Sequence, residues 1–156
     1  MRVLIACALA GMSCGCAPGK RPFLMAEVCL TDTQNLSAFT HEIQSIAQSE
    51  GMTFIDDSAV TERNLDTIGT PNQKKTLSRP VINMGIERGN EVVSMIGNVG
   101  LPDHQLVVGF SEGSNPVDAH RFAQMVVSKL EEHWHVEIVP NPAESGALPM
   151  KNCNQQ

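Results

Sequence analysis

The chain has 156 residues, with 11 Lys and Arg against 17 Asp and Glu, one Trp and no Tyr. That length suits one domain and excludes the large two-domain enzyme folds. A net charge of -6 with so few aromatic rings supplies neither the cationic surface nor the stacking platforms that nucleic-acid binding uses, so no nucleic-acid partner is expected.

Residues 1–16 read MRVLIACALAGMSCGC. Arg2 is a short basic start, and Val3 to Met12 is an uninterrupted apolar or small run without an acid. A run of about ten residues is half of what a bilayer-spanning helix needs. A basic start, a short apolar run and small residues before a cut are the marks of a secretory signal peptide. The end of this stretch resembles the lipobox of bacterial lipoproteins, in which small or apolar residues precede a Cys that is lipidated and becomes the new N-terminus. Cys16, preceded by Ser13-Cys14-Gly15, is the expected lipidation site, because Gly15 is favoured just before the cut. Cys14, preceded by Gly11-Met12-Ser13, is the alternative register. The resemblance implies a signal peptide over 1–15 and a stable anchor of several acyl chains. Ala17, rather than an acid, follows Cys16, which implies the periplasmic side of the outer membrane as the destination.

Residues 16–21 read as a tether, 22–140 as an α+β domain and 141–156 as a C-terminal tail. From Phe23 to Thr31, Leu24, Ala26, Val28 and Leu30 alternate with Met25, Glu27, Cys29 and Thr31, the period of a strand. Asp32 to Asn35 offers a turn and an N-cap. Leu36, Phe39, Ile43, Ile46 and Ala47 then recur at helical spacing until Gly51. Met52 to Ile55 is a short second strand. Ala59 to Ile68 has the pattern of one or two helical turns, and 69–75 is a polar loop. Val81 to Arg88, Glu91 to Asn98 and Gln105 to Ser111 read as a three-strand meander, with Gly89-Asn90 as its first turn. Asn115 caps a second long helix, Pro116 opens it, and its apolar stripe runs from Ala119 to Trp134. His135 to Val139 is the last strand, stopped by Pro140.

This order predicts an α+β fold: an antiparallel or mixed sheet with two helices on one face, resembling a ferredoxin-like sandwich. With Leu24, Ile82, Val93, Met95, Leu106 and Phe110 turned to the helices, the far face carries Asn83, Glu87, Ser94, Asn98 and Ser111, together with Met25, Glu27, Cys29, Val81 and Val107. Small polar and apolar residues mixed on one face make a candidate binding surface.

Of the five cysteines, only Cys29 and Cys153 lie outside the export segment. An even count in an oxidising compartment predicts a disulfide between them. It would draw the tail across the far face and close a loop of about 125 residues, with a ceiling of about 5 kcal/mol from chain entropy.

Gly109-Phe110-Ser111-Glu112-Gly113 matches the G-x-S-x-G nucleophile elbow, the basis of an alternative reading as a small envelope serine hydrolase using Ser111. The helix begins several residues too late for that motif and the strand belongs to a meander, so no catalytic set is expected. No H-E-x-x-H, Cys-His cluster, calcium loop or phosphate loop is present, and neither metal nor cofactor is expected. The function expected from the residues is therefore a non-enzymatic, membrane-anchored binding or accessory protein of the envelope, of the assembly, inhibitor or immunity type, with a protein partner.

Overall fold

The structure, a computed structural model, describes residues 21–30, 35–68, 81–98, 101, 104–142, 150 and 153. The expected signal peptide, both lipidation registers and the tether up to residue 20 lie outside them, as do the expected polar loop over 69–75 and most of the tail.

Six strands form one open antiparallel sheet: β1 (Leu24–Cys29), β2 (Thr53–Asp56), β3 (Asn83–Arg88), β4 (Glu91–Gly97), β5 (Gln105–Phe110) and β6 (His135–Ile138). Their spatial order is β2-β3-β4-β5-β1-β6. The meander β3–β4–β5 thus fills the space between β1 and β2, and β6 returns to the far side of β1. The helices are α1 (Asn35–Ser49), α2 (Ser58–Ile68) and α3 (Pro116–Glu131). The α+β class holds, with a third helix where only a turn or two was expected.

The core forms where the helices meet one face of the sheet. Phe39, Ile43 and Ile46 of α1, and Phe122, Val126 and Leu130 of α3, pack against Ala26, Val28, Leu106, Val108 and Phe110. Each of the large side chains buried here contributes about 1.5–3 kcal/mol. Sequence-local devices set the helix ends. The Asn115 Oδ1 accepts the Asp118 N–H at 3.3 Å at the start of α3. Beyond α1, Gly51 adopts φ +67° while its N–H donates to the Gln48 carbonyl and that of Met52 to the Ala47 carbonyl, the paired bonds of a Schellman stop. Asp56 Oδ1 accepts the Ser58 N–H where β2 passes into α2.

One strand departs from the expected alternation. β3 and β4 pair Ile86 with Ser94 but Glu87 with Val92, so Val93 is an extra residue in the ladder. At this bulge Val93 and Ser94 are both buried and the alternation slips. Ser94 and Ile96 consequently point to the helices, while Met95 turns to the far face and is 60% exposed. The expected placement of Met95 inward and Ser94 outward is corrected by the bulge.

Candidate functional site

The far face of the sheet is built from cross-strand rows, because side chains directly opposite in a ladder share a face. The central row runs Ile55, Gly85, Met95, Gly109, Met25. A second runs Asn83, Gly97, Val107, Glu27, Glu137, and a third Gln105, Cys29, His135.

Coverage divides this face into two halves. Over β5 and β1, Met150 and Cys153 close a small cluster around Cys29. The Cys29 and Cys153 sulfurs are at disulfide distance, with Cα atoms 5.3 Å apart. The Met150 N–H donates to Gln105 Oε1 at 3.0 Å, so the amide that neighbours Cys29 across the ladder also holds the tail. Gly109 leaves space that Pro22 occupies; a Cβ there would lie 3.5 Å from the proline Cβ. Over β2, β3 and β4, Met95 stands exposed between two glycines in its row, with half-buried Ile55 and exposed Thr53 and Val92 beside it. Gly85 leaves the β3 side of Met95 without a side chain, while Pro22 fills the space over Gly109 on the other side.

The residues expected on this face divide accordingly. Glu87 and Ser111 are there, both half-buried. Ser94 is not, for the reason given by the bulge. Asn98 is buried, and its Oδ1 accepts the Ile82 N–H at 2.9 Å, closing the start of β3 onto the end of β4. Asn83 is tied to α2: its Nδ2 donates to Thr61 Oγ1 at 2.8 Å and its N–H to Ser58 Oγ at 3.0 Å. Asn83 and Asn98 therefore spend polar groups on the fold. Met95, Gly85 and Gly109 were the residues that sequence reasoning missed. Glycine inside three consecutive strands, at 85, 97 and 109, was the available signal, since it marks a flat or closely approached sheet surface.

Ser111 does not occupy an elbow. Its N–H donates to the Val93 carbonyl at 3.1 Å, so the chain still follows the ladder there. The left-handed residue is Gly113, two positions on. His120, the histidine that follows on α3, lies 3.5 Å from the Glu112 carboxylate and stacks on Phe23 at 4.1 Å. Among the described residues, no group of three or more His, Cys, Asp or Glu side chains is placed to hold a metal ion, and no helix is long and apolar enough to cross a membrane.

The main exposed ion network lies beside the helices. Arg121 bridges Glu50 at the end of α1 and Asp118 in the first turn of α3, and Arg88 at the end of β3 also meets Asp118. The Glu50 hydrogen bond, with that of Asp118, raises the Arg121 guanidinium above its ordinary range. Solvent screens such pairs, so the network positions side chains more than it stabilises the fold.

Two concavities lie beside the helices, away from the far face of the sheet. One, of about 370 Å³, lies between α1, α2 and the start of β3, with Met84 and Ile82 in its floor. The other, of about 750 Å³, lies between the first turns of α1 and the His133-Trp134 turn that follows α3. Comparison with protein-family models, curated proteins and solved structures finds no match to this chain.

Proposed function

We propose that the chain is a lipid-anchored lipoprotein of the bacterial envelope whose periplasmic α+β domain binds another protein and performs no chemistry of its own. The observation that carries the binding part is the half of the far sheet face over β2, β3 and β4, where Met95 is 60% exposed beside Gly85. A flexible, polarizable thioether exposed there suits an adaptable protein contact. Polar neighbours such as Glu87 and Ser111 supply the hydrogen-bonding rim of such a patch. The anchoring part is supported by the lipobox-like residues before Cys16.

The experiment is site-specific photocrosslinking in intact cells. A photoreactive residue at position 95 should give one discrete heavier product, and the same residue at Gln124, exposed on α3, should give none. Mass spectrometry of the product then separates an assembly, inhibitor or immunity role. Equal crosslinking at both positions, or none at position 95, would reject the reading.

A further inference from the structure

The sheet-face reading leaves unused the cleft of about 750 Å³ beside α1. One wall is a polar stripe of α1 that includes Asn35, Ser37, His41 and Glu42, and the other is His133 and Trp134. The helical period brings 35, 38 and 42 to one side of α1, with 37 and 41 adjoining them. Both the His133 and Trp134 N–H groups donate to the Leu130 carbonyl, so the opposite wall is locked to the end of α3.

Trp134 is the only tryptophan in the chain. It is half-buried against the core, with its ring edge-to-face with Phe39 at 5.5 Å, and the His133 ring stands 5.5 Å from it. The indole is thus fixed before a ligand arrives, which removes part of the ordering cost of binding.

We propose that this cleft binds a neutral saccharide chain, with Trp134 as the stacking platform and His41, Glu42 and His133 as hydrogen-bond partners for its hydroxyls. The lining chemistry selects that class. No Lys or Arg is among the described lining residues, so an anionic ligand meets a carboxylate and no fixed cation. The absence of a three-ligand group among the described residues disfavours a metal. An apolar ligand would bury the Glu42 carboxylate and the imidazoles without partners, at a cost of several kcal/mol for the charge. A pyranose presents the remaining combination: an apolar C–H face for the indole and hydroxyls that both donate and accept. His41 and Glu42 have no hydrogen-bond or ion-pair partner among the described residues, so their polar atoms are available. The cleft is open rather than enclosed, which fits a chain that continues past it better than a single small molecule held on all sides.

Trp134 also supplies the readout, because all tryptophan emission comes from this site. The full-length protein is titrated with hexamers of β-1,4-N-acetylglucosamine, β-1,4-glucose and α-1,4-glucose, followed by Trp emission and calorimetry. At least one should bind saturably and change the emission. A His41→Ala/Glu42→Ala variant, altered only at the helix surface, should bind about tenfold more weakly, the loss of one good hydrogen bond. Trp134→Phe, followed by calorimetry, should keep the ring against Phe39 and lose affinity in part. No binding of any hexamer up to about 10 mM, an affinity weaker than about 3 kcal/mol, overturns the proposal. Binding unchanged in the double variant overturns it too, as does tighter binding of a neutral Ser-Asn-Gly hexapeptide than of every sugar. Each of these outcomes leaves the sheet-face reading standing, since the two sites share no residue.

Discussion

A Cβ atom on Gly113 would lie 2.7 Å from the Glu91 carboxylate carbon. Gly113 has φ +60°, and the Glu91 carboxylate that closes over it accepts a hydrogen bond from Ser114 Oγ at 2.9 Å. The second glycine of the G-x-S-x-G match therefore serves the turn between β5 and α3. Gly113→Ala should destabilise the domain by at least about 1–2 kcal/mol, the left-handed backbone penalty alone. In a Glu91→Ala background the same change should cost less, because the steric part is relieved. Urea unfolding of the four proteins in that cycle measures both. Ser111→Ala should stay within about 0.5 kcal/mol of the parent and leave no esterase activity to lose. Turnover of ester substrates that vanishes with Ser111 would return the hydrolase reading.

The Ser94 hydroxyl sits opposite Ile86 and Phe110 in the core, at 0% exposure, with no hydrogen-bond partner among the described residues. A buried unpaired hydroxyl costs about 1–3 kcal/mol. Ser94→Ala removes the oxygen and almost no volume, and should raise stability by about 1 kcal/mol. Thermal and urea unfolding read this directly, and a substantial loss of stability would mean that the hydroxyl is bonded in solution.

Cys29 and Cys153 should form a disulfide in protein produced in the periplasm. Non-reducing mass spectrometry should show both thiols unavailable to alkylation and a peptide joining the two. Cys153→Ser should lower stability by about 2–4 kcal/mol, largely through the greater freedom of the unfolded chain. It should also release Met150 from Gln105, raising hydrogen exchange at the Met150 amide. Two free thiols in the periplasmic protein would contradict this.

Gly85 carries a different expectation from Gly113. A Cβ there would sit 3.5 Å from the Ser94 carbonyl oxygen, an ordinary contact. Gly85→Ala should therefore be neutral or stabilising by up to about 1 kcal/mol, since glycine weakens a strand interior. It would nevertheless place a methyl beside Met95 on the far face. The crosslink from position 95 should fall in Gly85→Ala without a loss of folded protein. A crosslink of unchanged yield would detach that position from binding.

Cys16→Ser should abolish lipid attachment and leave an unprocessed precursor or a soluble form, detectable as loss of labelled fatty acid. If Cys14→Ser does this and Cys16→Ser does not, the register is the alternative one. If neither variant loses lipid, the anchor reading fails.

The elements that stand on local periodicity were legible without a structure. The stripe from Ala119 to Leu130, the Asn115 cap and the stop at Gly51 depend on neighbours within a turn or two, and each appears as read. The alternation of β1 was equally local, and it placed Cys29 opposite the helices, within reach of the tail. The faces of β4 were not legible. An extra residue in a ladder belongs to the pairing of two strands, so nothing within residues 91–97 alone announces that Val93 and Ser94 are buried together and Met95 is exposed. The fates of Asn83 and Asn98 were hidden for the same reason, since their partners lie on α2 and at the start of β3. Trp134, expected to end the helical stripe, packs against the core as an apolar residue but lies in the turn after α3, which stops at Glu131. That its ring also borders a cleft with His41 and Glu42 was decided only when the sheet brought the end of α3 beside the start of α1, because two positions nearly a hundred residues apart share a wall only through the strands packed between them.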